Sequence, residues 1–274
     1  MFSIIVPTCN RPDLLVNCLG ILDLLRNDSS LSSFEVIVTD DSMNDITEQF
    51  CKISFPWVRY IKGPFRGPAA NRNNGASIAK GDWLIFLDDD CIPEKELLKA
   101  YAEAITVNKE QFVFEGAILP LGGQTAFNQE CPINTRGGNL WSCNFCIFNT
   151  HFKLLNGFDE QFPFPAMEDM DLHIRASAIH PIKFLPSARV WHPWKIISNP
   201  EGRFNQAFIS HKLLLEKWPQ QRSYFGYDMQ TKKLLRHFFI TAPANMFKFR
   251  FRGLSYLWYY YKFLVKTAFF SLKN

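Results

Sequence analysis

The sequence predicts an α/β protein, with a mostly parallel twisted sheet flanked by helices and a helical C-terminal extension. Three observations carry this. Short apolar runs of strand length alternate with stretches whose apolar residues recur at helical spacing. Several runs stop abruptly at polar or acidic residues, as Trp83-Leu-Ile-Phe-Leu87 does at Asp88, Asp89 and Asp90. Residues 229–274 differ in composition from everything before them.

Phe2 to Pro7 reads as the first strand. Pro12 to Leu25 follows with helical spacing and a proline at its start, where the missing N–H costs nothing. Phe34 to Thr39 is a second strand ending in Asp40 and Asp41, and Val58 to Ile61 a short third. Asn71 to Ala79 is a helix closed by Gly81, Leu84 to Leu87 the fourth strand, and Lys95 to Val107 a helix. From about Phe112 the pattern loosens, and Gly122-Gly123 and Gly137-Gly138 mark loops. Glu168, Asp169 and Asp171 then open a helix that runs to about Ile179. Ile182 to Leu185 is a last strand, and Trp191-His192-Pro193-Trp194 follows it. There is no internal repeat, no Walker A pattern and no GxGxxG.

The chain has 274 residues, enough for one large domain or one domain with an appendage. Met1 leads directly into the first strand without a basic segment, so no signal peptide is expected. The seven cysteines stand singly apart from Cys143 and Cys146, which suggests reduced thiols in a cytoplasmic protein. No second Cys or His pair lies at zinc spacing, so Cys143 and Cys146 read as structural. Net charge is +4, unevenly spread. Residues 229–274 hold nine Lys/Arg and no Asp/Glu, so residues 1–228 carry a net of −5. The expected division is therefore a body over 1–228, with halves 1–110 and 111–228, and an extension over 229–274.

In open α/β sheets ligands sit beyond the carboxyl ends of the strands. The loops that hold Pro7 and Thr8, Asp40 and Asp41, and Asp88 to Asp90 all follow strands and should line one crevice. Three adjacent carboxylates raise the cost of ionising all of them. Mg²⁺ or Mn²⁺ would offset that cost and leave positions open for substrate phosphates. A helix N-cap with an acidic first turn would use one or two of the three.

Together "SIIVPTCNRPDLL", "VIVTDDS", "ANRNNGASIAKGDWLIFLDDD" and "GFDEQF…EDMDLHIRA" resemble an inverting family 2 glycosyltransferase over roughly Phe2 to His192. The resemblance implies the GT-A (nucleotide-diphospho-sugar transferase) fold. It implies a nucleotide-diphosphate sugar donor, most often UDP-linked, and a glycan or lipid-linked glycan acceptor in cell-surface polysaccharide synthesis. Thr8, Asn10 and Arg11, beside Pro7, would border base and ribose. One of Asp40 and Asp41 would accept from the base, the alternative being a plain Asx turn with Ser42. Arg72 would approach the diphosphate, the alternative being a solvated helix arginine. Asp88 to Asp90 match the family's Asp-any-Asp motif. Asp88, with Asp89, would lie near ribose and sugar; Asp90 would bind Mn²⁺ or Mg²⁺, with Asp88 and His192 as further ligands. His192 could equally be held by its tryptophan neighbours. The catalytic base falls on Asp169, with Glu168 as the fallback. Asp171 and Arg175 form a local i,i+4 pair, and Trp141, Asn144 and Phe158 shape the donor and acceptor pocket unless they are core. The family often has Gly-Ser after the second-strand acid pair, whereas this chain has Ser42-Met43. No QxxRW-type segment is present, which implies transfer of one sugar rather than polymerisation.

The extension interleaves Lys/Arg with 13 of the 42 aromatic residues. Its longest charge-free run is far below the ~20 residues of a spanning helix. It reads as an amphipathic segment for the inner face of the membrane, or as a helical tail packed on the body or on a second subunit. Two other functions compete. A nucleic-acid-binding protein would use the basic aromatic tail, against which stands the acidic body. A sugar nucleotidyltransferase would carry a glycine-rich first loop, and Pro7 to Pro12 has no glycine.

Overall fold

Phe2 to Thr8 forms a fully buried strand in a computed structural model that describes residues 1–28, 31, 33–223 and 230–273. In chain order this strand, β1, is followed by α1 (Pro12–Arg26), β2 (Phe34–Asp40), α2 (Ile46–Ser54), β3 (Arg59–Lys62), α3 (Pro68–Ser77) and β4 (Trp83–Leu87). Then come β5 (Ile92–Pro93), α4 (Leu97–Val107), β6 (Val113–Leu121), β7 (Gln129–Glu130), β8 (Asn144–Phe148), α5 (Asn149–Leu154), α6 (Glu168–Ser177) and β9 (Lys183–Pro193). The rest is β10 (Lys195–Ile196), α7 (Pro200–Lys217), α8 (Gln230–Arg236), a π-helical turn (His237–Thr241), α9 (Ala242–Phe249) and α10 (Ser255–Lys273).

These elements form two compact units. The first comprises Met1–Leu121, Pro132–Pro163 and Glu168–Pro193; the second comprises Gly122–Cys131, Phe164–Met167 and Trp194–Asn274. The second unit thus takes in α7 as well as the residues after 228.

The first unit is built on an eight-stranded sheet in the order β3-β2-β1-β4-β8-β6-β9-β5. β1 pairs in parallel with β2 and with β4, β2 with β3, and β6 with β9. β8 runs antiparallel to both β4 and β6. Alternation along the strands divides the core between the two faces. Ile4, Val6, Val36, Val38, Ile85 and Leu87 join Leu15, Leu19 and Leu22 of α1 and Leu97 and Tyr101 of α4. Ile5, Leu84, Phe86, Phe145 and Ile147 join Ala69 and Ala76 of α3, Phe152 of α5 and Leu172 of α6. Each fully buried leucine on α1 contributes roughly 1.5–3 kcal/mol.

α3 begins three residues earlier than the spacing predicts, because Pro68 takes its first turn directly after Gly67 at φ 92°. β6 and β8 lie in the stretch after Phe112 where the sequence pattern loosens and no strand is read, and β9 runs eleven residues rather than ending at Leu185. Cys143 and Cys146 are buried in the core, as their structural reading expects.

In the second unit Phe127, Ala242, Phe249 and Leu257 form a small core. Phe204 of α7 stacks on Phe263 of α10 and meets Tyr256 and Tyr260 at tilted angles. Glu130 accepts from Arg203 Nε at 3.0 Å and from the Tyr256 hydroxyl at 2.8 Å.

Candidate active site

The parallel register of β1 with β2 and β4 brings three strand ends to one edge, and Thr8 lies opposite Asp40. Asn71 of α3 fastens that edge. Its Nδ2 donates to the carbonyls of Thr8 (3.2 Å) and Thr39 (3.0 Å), and its Oδ1 accepts from the Thr39 hydroxyl at 2.6 Å. The Asn10 amide, at φ 56°, donates to Ser42 Oγ at 2.6 Å, and the Asp41 amide to the Thr8 carbonyl at 3.0 Å. A Cβ at position 63 would stand 2.1 Å from Asp41 Oδ1 and 2.6 Å from Asn71 Oδ1, so Gly63 leaves both side chains their places.

The two acids after β2 differ. Asp40 is fully buried and accepts from the Ser42 amide (2.9 Å), the Ser42 hydroxyl and the Tyr60 hydroxyl (2.9 Å). Its carboxylate is thus engaged by the fold. Asp41 is half-buried and accepts from the Phe65 amide at 2.9 Å; burial raises its proton affinity.

The three acids after β4 separate as well. Asp88 pairs with Arg72 Nη2 at 2.9 Å. Asp89, with no exposed surface, accepts from the Thr8 hydroxyl at 2.7 Å and pairs with Arg11 Nη2 at 3.0 Å. Burial pushes Asp89 up to about 6, against the pull of Arg11 and Thr8. Asp89, Thr8 and Arg11, expected at the base, ribose and sugar, are thus joined to one another at this strand edge. Asp90 Oδ1 lies 3.2 Å from His192 Nε2, both side chains 1% exposed. Asp88 lies outside the metal-ligating set expected for it, because its carboxylate is on Arg72.

Asp90, Cys91 and His192 bring one donor atom each within 4.8 Å of one another. His192 Nδ1 sits 2.7 Å from the Pro193 carbonyl, which can only accept, so Nδ1 carries the proton. Nε2 faces the Asp90 carboxylate, an arrangement that a proton or a cation between them would satisfy. Cys91 fits less well. Its thiol is directed at the Cys143 carbonyl, and Cys143 and burial hold it protonated well above the usual thiol range. The residues that could hold a cation are therefore Asp90 and His192, a carboxylate oxygen and an imidazole nitrogen.

Arg72 is 4% exposed. Its Nη1 donates to Glu168 and its Nη2 to Asp88, each at 2.9 Å. Burial works against the charge, but the two carboxylates more than offset it and keep Arg72 protonated. Arg72, expected to approach the diphosphate or else to be a solvated helix arginine, is not solvated: it bridges the end of β4 and the start of α6.

Asp169 follows Glu168 on the first turn of α6. Its Oδ1 accepts from the Met170 amide at 2.8 Å, and the Ser142 amide also donates to its carboxylate. Burial, and then the negative Glu168, raise Asp169 to about 8. Glu168 is 2% exposed and tied to Arg72, whereas Asp169 is half-buried. Asp171 and Arg175 form the expected i,i+4 pair, 2.7 Å apart.

Of the three expected pocket residues, two are core. Asn144 has no exposed surface: its Oδ1 accepts from the Tyr101 hydroxyl at 2.8 Å, and its Nδ2 donates to the carbonyls of Ala117 and Ala188. Phe158 is packed against Phe86, Phe145 and Phe152. Trp141 keeps some exposed surface. Sequence reasoning passed over Glu115, whose carboxylate accepts from Asn134 Nδ2 (2.6 Å) and from the amides of Gly138, Asn139 and Leu140 (2.7–2.9 Å). It orders the loop that leads to Ser142 and so to Asp169. A single acid inside the apolar run Phe112 to Leu119 was the available signal.

The family described as Glycosyl transferase family 2 matches residues 3–140. An uncharacterised glycosyltransferase of Haemophilus influenzae is 43% identical over 99 residues, 35% of this chain and 32% of that protein. Validoxylamine A glucosyltransferase of Streptomyces hygroscopicus subsp. jinggangensis is 27% identical over 256 residues, 78% of this chain and 59% of that protein. The chain thus spans less than two thirds of either relative. TarS of Staphylococcus aureus, a poly(ribitol-phosphate) beta-N-acetylglucosaminyltransferase, is 33% identical over 109 residues, 38% of this chain and 18% of that protein. The crystal structure of TarS residues 1–349 in complex with UDP-GlcNAc superimposes with a TM-score of 0.57 at 20% identity. That match covers 78% of this chain and 66% of that one, and shows a shared fold.

Proposed function

The chain belongs to glycosyltransferase family 2, and from that premise we propose that it moves one sugar from a nucleotide-diphosphate sugar to an acceptor hydroxyl, with inversion at the anomeric carbon. The observation that carries this reading is Asp169: a half-buried carboxylate of raised proton affinity, held by two backbone amides beside the Arg72 clamp. The Asp169 carboxylate takes the proton of the acceptor hydroxyl as that oxygen attacks the anomeric carbon, and the nucleoside diphosphate leaves from the opposite face. Glu168 is the weaker candidate for base, because its carboxylate is already on Arg72. Arg72 positions the base by fixing the first turn of α6 to the end of β4.

Asp90 and His192 hold Mn²⁺ or Mg²⁺ in this reading. Such an ion, when bound, supplies Lewis-acid stabilisation of charge on the leaving diphosphate. Asp41 accepts from the nucleotide base, with Pro7, Asn10 and Arg11 around it. UDP is the favoured nucleotide, supported by the UDP-GlcNAc bound to TarS, which shares the fold. The acceptor is a glycan or lipid-linked glycan of the cell surface, supported by TarS and by a Campylobacter jejuni relative named GalNAc(5)-diNAcBac-PP-undecaprenol beta-1,3-glucosyltransferase.

A thermal-shift panel of UDP-, dTDP- and GDP-sugars, each with Mn²⁺, Mg²⁺ or EDTA, tests the donor site. The expected result is a rise in Tm with UDP-sugars that disappears in EDTA and in Asp90→Ala. A folded protein that no nucleotide sugar stabilises would contradict the reading.

A further inference from the structure

The second unit presents an apolar and cationic surface that the transferase reading does not use. Residues 229–274 carry nine Lys/Arg and no Asp/Glu, and every one of those cations whose side chain is described is exposed. On α10 the residues are sorted by face. Leu257 and Leu264 are buried, and Phe263 stacks on Phe204 and meets His211 edge-on. Trp258 (61% exposed), Val265 and Phe269 (63%) point outward. At about 100° per residue these three fall within an arc of roughly 40°, with Lys262 and Lys266 beside them. Lys262 Nζ lies over the Trp258 ring, 4.8 Å from its centroid.

The preceding turns add to this. Phe238, Phe239 and Ile240 are consecutive and exposed. Phe247, 86% exposed, and Phe251 flank a turn in which Arg250 and Phe251 both have positive φ. Phe238 packs edge-on against Tyr261 of α10, and exposed large apolar side chains in this number mark an interaction surface. Charge complementarity selects an anionic partner, and the exposed aliphatic Leu235, Ile240, Leu254 and Val265 suit acyl chains rather than the faces of nucleic acid bases. Among the described residues no helix is long and apolar enough to cross a membrane.

We propose that this face docks on an anionic bilayer, with α10 in the headgroup plane, Trp258, Val265 and Phe269 at the acyl boundary, and Lys262 and Lys266 on lipid phosphates. The inference stands apart from the transferase reading. Cosedimentation of the full chain with phosphatidylcholine vesicles, with and without phosphatidylglycerol, tests it. The expected result is binding that requires phosphatidylglycerol and weakens with salt. Each cation removed should lower partitioning about fivefold, so the Lys262→Gln, Lys266→Gln double variant should lose on the order of 25-fold. The Trp258→Ser, Phe269→Ser double variant should weaken binding with unchanged circular dichroism, and Lys109→Gln, on the first unit, should not. Equal recovery with both vesicle types, equal loss from Lys109→Gln, RNA binding with no vesicle binding, or a solution dimer dispersed by Trp258→Ser would overturn it.

Discussion

Arg72 donates to the Glu168 carboxylate at 2.9 Å across 96 residues of sequence. That bond, with its twin to Asp88, ties α3, the end of β4 and the start of α6 into one buried network. Its members are more costly to remove singly than the pair is worth in net stability, because the partner left behind is a buried charge.

Arg72→Met should therefore destabilise the protein by about 3–5 kcal/mol, and Arg72→Lys, which cannot reach both carboxylates, by less. Thermal unfolding measures this. A Tm unchanged by Arg72→Met would mean that the clamp is not formed in solution.

Glu115 gathers four N–H donors at one fully buried carboxylate. Glu115→Gln keeps the shape, loses the charge and turns an amide N–H₂ on those donors, at a cost of roughly 2–3 kcal/mol. Because the loop it orders leads to Ser142, kcat should fall with it. A stable variant with unchanged kcat would separate Glu115 from the site.

Asn144→Ala distinguishes core from pocket. Three internal hydrogen bonds place Asn144 in the core, so the variant should lose about 2–3 kcal/mol of stability. A change in acceptor KM at constant Tm would restore the pocket role that the motif suggested.

His192→Gln removes the imidazole from Asp90 but leaves a polar side chain. The Mn²⁺ concentration needed for half-maximal donor-induced stabilisation should rise about tenfold or more. An unchanged requirement would place the cation elsewhere.

The parts legible in the sequence were those with a local signal. β1, β2 and β4 show as apolar runs cut off by polar residues, and α1 shows by its spacing and Pro12. β6 and β8 were illegible because their partners are distant. β8 pairs with β4 and β6, and its Asn144 is satisfied only through Tyr101, Ala117 and Ala188. The acidic triplet marked the place of the site but not the division of labour within it. Asp88, Asp89 and Asp90 face Arg72, Arg11 and His192, and those partners come from three separate segments. Likewise nothing local says that Asp40 is spent on Tyr60 while Asp41 is not.

The base assignment is tested most directly by the pH dependence of kcat/KM for donor hydrolysis, in which water replaces the acceptor and release of nucleoside diphosphate is read. Asp169 acts only when deprotonated, and burial and Glu168 raise it to about 8, so activity should rise with pH through that region. Glu168→Gln removes the neighbouring negative charge and should move the rising limb to lower pH, while Asp169→Asn should abolish the limb and cost at least about 100-fold. A rising limb in the ordinary carboxylate range that Glu168→Gln leaves in place, or an active Asp169→Asn enzyme, would contradict the assignment.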